Sequence, residues 1–173
     1  MALLWTYANQ QAIKPISANQ AQGMFNQLAA EVQVVDLQNL IGFSFYQDLV
    51  QNPATTQNAA LLDGGSYTAG GVTYIYSGLK YVLAYFFYAR YILVSFKKDT
   101  YGGMVSKKFE DSFQLNNGDE ANLAKDNRIT AFKYWEECQA FIRENSSDYP
   151  YYCEDPNLVN RCNPNSLINL RCF

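Results

Sequence analysis

The stretch GLKYVLAYFFYARYILVSFKK, residues 78–98, limits what this chain can fold into more than any other feature. A membrane-spanning helix needs roughly 18 or more nearly uninterrupted apolar residues, and a cation at its centre costs about 2.5 to 3.5 kcal/mol. Arg90 sits mid-stretch and Lys80 near its start. At 100° per residue, Lys80, Arg90, Lys97 and Lys98 fall within one arc of about 100°. Tyr81, Val82, Tyr85, Phe86, Tyr88, Ala89, Ile92, Leu93 and Phe96 fill the opposite side. The pattern predicts an amphipathic helix with a wide buried face, roughly 30 Å long if unbroken.

A chain of 173 residues is long enough to bury one core. The net charge of −3 gives no whole-molecule attraction to nucleic acid. Its distribution is uneven: Lys14 is the only cation before Ser77, and the other twelve Lys and Arg follow it. There is no histidine, which removes the commonest general base, the commonest zinc ligand and every Ser-His or Cys-His nucleophile pair. Cysteines at 138, 153, 162 and 172 form no CxxC, a spacing that fits free thiols in a reducing compartment and leaves a disulfide among the last three open. The first residues, MALLWTYANQQAIKP, lack a basic region followed by a long apolar core, so no secretory signal is expected.

Residues 1–16 read as an irregular arm ending near Pro15. Ser17 to Gln20, SANQ, matches a capping box, and Ala21, Phe25, Leu28, Val32 and Val35 recur at helical spacing behind it. Asp36 is expected to cap a new short helix holding Leu37, Leu40 and Ile41, stopped by Gly42. FSFYQDLVQNP predicts a further helix ending before Pro53. Two β-prone runs, Ser66 to Thr68 and Val72 to Tyr76, flank AGG and predict a small hairpin within about 64–77. After Lys98, DTYGGMVSKKFEDSFQLNNG predicts an extended loop with at most one strand. Asp119 is expected to cap a last helix whose stripe is Ala124, Arg128, Ala131, Trp135, Cys138 and Ile142, with Arg128 paired to a carboxylate or to carbonyls. The end, residues 149–173, has three prolines and no long period; its apolar residues Tyr151, Tyr152, Leu158, Val159, Leu167, Ile168, Leu170 and Phe173 suggest docking on a neighbouring chain or folding back on the domain.

Chemistry is hard to find in these residues. The pairs Glu110-Asp111, Asp119-Glu120, Glu136-Glu137 and Glu154-Asp155 point about 100° apart on a helix and share no site by spacing. No glycine-rich loop has phosphate-cradling spacing, and NNGDEANLAKDN lacks the alternating ligands of a calcium loop. No catalytic, cofactor-binding or metal site is expected. Lys97, Lys98, Lys107 and Lys108 place four cations in twelve residues. At a helix C-terminus the dipole alone favours such charges; repeated around a ring they would face a polyanion.

Taken in order, LIGFSFYQDL, LLDGGSYTAGG, GLKYVLAYFFYARYIL, DTYGGMVSKKFEDS and RITAFKYWEECQAFI resemble the small head-tail connector, or neck adaptor, proteins of tailed bacteriophages, in particular those of phages with Bacteroides-type hosts. The likeness covers roughly residues 20–145 and rests on helix order, an Ile-Gly turn, an aromatic helix and a Thr-x-x-Gly loop. It implies a mainly α fold: a small bundle with a long central aromatic helix, a β-hairpin, an extended loop and an extended C-terminal tail. It divides the chain into an arm (1–16), a connector-like domain (17–148) and a docking tail (149–173). It further implies a non-enzymatic virion protein at the portal vertex, made in the host cytoplasm. Such a protein forms a ring, usually of twelve copies, between the portal protein and tail or further neck proteins, with non-specific DNA contact in its channel and no membrane. On that reading residues 149–173 dock the partner, and Lys97, Lys98, Lys107 and Lys108 line the channel or meet the next subunit; deleting 149–173 should leave a folded domain that no longer assembles. The extra hairpin and longer cysteine-containing tail depart from the smallest connectors. Two other classes remain: a small intracellular enzyme, marked by a deep pocket with a perturbed carboxylate or lysine, and an amphipathic membrane-surface protein, marked by vesicle flotation.

Overall fold

The computed structural model describes residues 2–17, 22–95, 97–100, 103–106 and 117–152. The fold is mainly α, as the pattern predicts: helices surround a central aromatic helix, with two small antiparallel hairpins.

The N-terminal segment is not irregular. Thr6 opens helix α1 (Tyr7–Ile13) with a reciprocal cap: its hydroxyl accepts from Asn9 N, and its own N–H donates to Asn9 Oδ1 at 2.9 Å. Asn9 replaces the Glu or Gln that marks a capping box in sequence, which hid this start. Leu4 and Trp5 are buried, and the Trp5 ring lies edge-on to Phe25 and Phe87 at centroid distances of 5.9 and 6.3 Å.

Helix α2 (Gln22–Val32) buries Phe25, Leu28, Ala29 and Val32, while the SANQ capping pattern lies largely outside the described residues. Its helical path does not stop where Asp36 was expected to cap. It widens into a π segment (Gln33–Leu37), closed by Gln38 N–H donating to Gln33 O, and continues as α3 (Gln38–Ile41). The wider turn rotates the face: Gln33, Asp36 and Leu37 point inward, while Val34 and Val35 are exposed. Gly42, at φ 81°, ends the rod and starts α4 (Phe43–Gln51).

A helix that the sequence pattern did not announce follows, α5 (Thr56–Asp63), with the Thr55 hydroxyl accepting from Asn58 N. Strands β1 (Gly65–Ala69) and β2 (Val72–Tyr76) then pair in continuous register from Gly65↔Tyr76 to Ala69↔Val72. The turn residues Gly70 and Gly71 both have positive φ, the geometry a two-residue hairpin turn requires.

Helix α6 (Leu79–Ser95) is the predicted aromatic helix, but it ends at Ser95. Lys97 and Lys98 belong instead to strand β3 (Lys97–Thr100), which pairs with β4 (Gly103–Ser106). The region read as an extended loop therefore holds a second hairpin, because two short runs pair in continuous register from Lys97↔Ser106 to Thr100↔Gly103 and satisfy each other's backbone. Helix α6 is more enclosed than its predicted stripe: Leu83, Ala84 and Phe87 are buried along with Val82, Phe86 and Ile92, each large side chain contributing about 1.5 to 3 kcal/mol. It packs against α7 (Asn117–Glu144), and also against α1, α2 and α5. The α7 stripe is as read, with Ala124, Ala131, Trp135, Cys138 and Ile142 buried. Asp119 lies in its first turn rather than at its cap.

Candidate functional site

Helix α6 is 17 residues, about 25 Å long, and a hairpin adjoins each end in sequence. At its N-terminal end, Gly64 and Gly78 bracket β1 and β2. A Cβ on Gly78 would lie 2.7 Å from Leu62 O, and one on Gly64 would lie 2.6 Å from Ser77 O. Glu137 of α7 accepts from both the N–H and the hydroxyl of Ser77 at 3.1 Å, so the base of the hairpin is fixed to two helices. Tyr76 stacks on Phe141 with centroids 4.2 Å apart, and its hydroxyl donates to Ala60 O at 3.0 Å. Burial pushes the Tyr76 hydroxyl up to about 12.

At the other end, the π segment turns Asp36 toward two arginines. Arg90 Nε donates to Asp36 Oδ2 at 2.6 Å, and Arg128 Nη2 lies 3.2 Å from Asp36 Oδ1. Arg90 Nη1 also reaches Glu31, and the Arg128 guanidinium lies 5.4 Å from the Phe86 ring centre. The hydrogen bond that Arg90 donates to Asp36 holds its guanidinium above the ordinary range. Arg128 is thus the carboxylate-paired arginine expected from the sequence, and Arg90 leaves its solvated arc for the same partner. Lys80 pairs with Asp63, and Lys14 sits over the Tyr88 and Tyr85 rings at 4.8 and 5.2 Å. These cations link helices to one another.

The candidate channel residues divide. Lys97 and Lys98 are placed by their backbone in β3, opposite Ser106 and Val105. Lys107 and Lys108 lie outside the described residues. The candidate docking residues divide too. Tyr151 and Tyr152 pack against the domain's own core; the Tyr152 ring lies 5.7 Å from Phe45 and 6.1 Å from Trp135, and its hydroxyl accepts from Gln139 Nε2 at 3.0 Å. Leu158, Val159, Leu167, Ile168, Leu170 and Phe173 lie outside the described residues, as do Cys153, Cys162 and Cys172. Tyr149, which the sequence reading passed over, is buried and donates to Gln57 O at 2.7 Å. A depression of about 320 Å³ beside it is lined by Ile142, Arg143, Ser146, Tyr149, Pro150 and Tyr152.

Among the described residues, no group of three or more Cys, Asp or Glu is placed to hold a metal ion. Cys138 is free and buried; burial, with Glu137 second, pushes its thiol up to about 12, far from a reactive thiolate. No helix of the described residues is long and apolar enough to cross a membrane.

The sequence signal for the Asp36 cluster was one acid inside the apolar run VVDL, and it could be read as a cap as easily as a buried partner. No curated protein and no solved structure matches the chain. A family model does match, over residues 37–161, which takes in every element from α3 to α7: the chain belongs to DUF6712, a family of unknown function.

Proposed function

We propose that this chain is a structural virion protein of a tailed phage, a head-tail connector that forms a ring on the portal, extends the DNA channel and joins capsid to tail. The observation that carries the reading is the central helix with a hairpin adjoining each of its ends, on a bundle locked by Asp36, Glu137 and the aromatic core. A ring subunit must meet two neighbours and the layers above and below it, and a hairpin adjoining each end of one helix suits that task. The element order is also that of the connector resemblance. On this reading the protein has no catalytic role, and Lys97 and Lys98 of β3, with Lys107 and Lys108, provide cations to the channel or to the next subunit. Residues 153–173 provide the contact to the portal or a neighbour.

The test is affinity purification of the native protein from its own lysate, with mass spectrometry of what accompanies it. Portal, capsid and tail proteins recovered with many copies of this chain are the expected result. A lone monomer, or a monomer with metabolic enzymes, overturns the reading.

A further inference from the structure

The β1–β2 hairpin has two undefended edges. Ala69 and Val72 flank the two-residue turn and form a hydrogen-bonded pair, so alternation along the ladder turns Gly65, Tyr67, Tyr74 and Tyr76 inward as well. The backbone groups of Ser66 and Thr68 on β1, and of Thr73 and Ile75 on β2, therefore point away from the hairpin along its two outer edges. Soluble proteins guard such edges with charges, proline or bulges. Residues 64–79 contain no charged residue and no proline, and the register has no bulge. The second hairpin provides the contrast, with Lys97, Lys98 and Asp99 in β3. Large apolar side chains accompany the bare edge: Ile75 is 83% exposed, Val72 54% and Tyr74 46%.

We propose that the outer edge of β2 pairs with the outer edge of β1 on the next copy of this chain, so that hairpins join head to tail into one antiparallel sheet. The occupant must be an extended, uncharged strand, since a charged one would be desolvated against Val72, Tyr74 and Ile75 with no counter-charge to meet. The β1 edge of a second copy meets this requirement: the two edges are matched in charge because neither carries any. Pairing Thr73 with Thr68 and Ile75 with Ser66 of the next copy satisfies the outward groups in the register already used inside the hairpin. It also sets Tyr74 beside the next Tyr67, extending the Tyr67–Tyr74 stack, whose centroids lie 5.4 Å apart. A symmetric β2-to-β2 pair would leave both β1 edges bare; the head-to-tail arrangement uses both edges of every copy, and gives a ring when the rotation between copies closes. The inference rests on the ring reading and names its interface.

The experiment compares the full chain with I75K, T73P and I129K by light scattering after size exclusion. Ile75→Lys places a charge on the edge, and Thr73→Pro removes an outward N–H without touching the inner ladder. Ile129, 46% exposed on α7, is the control. The expected result is a closed multi-copy species for the full chain and I129K, and single-chain mass for I75K and T73P with unchanged helical circular dichroism. A ring that survives both hairpin variants overturns this inference and leaves the ring reading standing. A dimer that I75K splits points to symmetric pairing and overturns the head-to-tail arrangement. A full chain that is monomeric at all concentrations overturns both.

Discussion

Arg90 Nε lies 2.6 Å from Oδ2 of Asp36, joining two residues 54 positions apart, one in the C-terminal half of the aromatic helix and one in the π segment. The Asp36 side chain is 3% exposed, and Arg128 from α7 takes its other oxygen, so one carboxylate ties three stretches of the chain together. Removing one partner of such a pair costs more than the pair contributes, because a charge is left uncompensated. Asp36→Ala is expected to lower stability by about 3 kcal/mol. Arg128→Ala, at the solvent-facing side, should cost under about 1 kcal/mol. Urea unfolding followed by circular dichroism measures both; equal losses would show that the site depends on the Arg128 contact as much as on the carboxylate itself.

Gly64 and Gly78 approach so closely, both at positive φ, that neither tolerates a side chain. Gly78→Ala should destabilise the fold by more than about 3 kcal/mol, combining strain with a backbone clash. Gly70→Ala at the open tip meets nothing within 4 Å and should cost only about 1 kcal/mol, the expense of its positive φ. Thermal melts of the two variants give the comparison, and a Gly78→Ala protein with the parent's melting temperature would remove the glycine contact as a fixed point.

Stability should fall in alkali. Cys138 rises from 9.0 to about 12 and Tyr76 from 10.0 to about 12, both mainly through burial, and Tyr149 moves in the same direction. A raised folded value means that the native state holds its proton while the unfolded chain releases it. The contribution is therefore complete below about pH 9 and is lost as pH climbs toward 12. Cys138→Ala should make the decline between pH 9 and 12 shallower, although it lowers stability at pH 7 through lost packing. An unchanged slope would exclude the thiol as a contributor.

The far end of the chain needs a finer cut than its sequence suggests. Tyr149 is part of the core, against Phe45 and Phe141, and the half-buried Tyr152 packs on that core beside Phe45 and Trp135. On the proposed connector reading, truncation after Tyr152 should abolish capture of the portal while keeping Tyr149 in the core, whereas deletion of 149–173 should cost about 3 kcal/mol more for the buried Tyr149 ring alone, the lower end for a lost core aromatic. Equal melting for the two truncations would place Tyr149 and Tyr152 outside the folding unit.

Strong periodicity was read well. The α7 stripe, the Gly42 stop, the end of α4 before Pro53 and the AGG hairpin follow from local signals that agree with the tertiary outcome; the α6 stripe agrees in part, since Tyr81 and Leu93 of its predicted buried side are exposed while Leu83 and Phe87, within its cationic arc, are buried. The misreadings have specific physical causes. Val35 continued a 3.6-residue period, but one π turn passes the inward position to Asp36 and Leu37, and no local pattern announces that change. The arm carrying α1 looks polar because its buried groups include Gln10, which is satisfied by Trp5, Lys14 O and Ala84 O. Lys97 and Lys98 continued the cationic arc of α6, yet pairing with Ser106 and Val105 of β4 claimed them for a strand. What made the hairpin edges a candidate was an absence of charge, which a search for motifs passes over.

The glutamines that hold the N-terminal segment have a consequence for the order of events during synthesis. Gln10 Nε2 reaches Ala84 O, 74 residues later, and Leu4 N–H donates to Gln33 Oε1 at 2.6 Å. Leu4 and Trp5 can meet Gln33 and Phe25 before α6 is made, but the contacts of Gln10 with Ala84 and of Trp5 with Phe87 must wait until α6 has been translated. That interval is the time in which a nascent chain is open to chaperones or to premature association. The N-terminal segment therefore completes its docking only once α6 is in place.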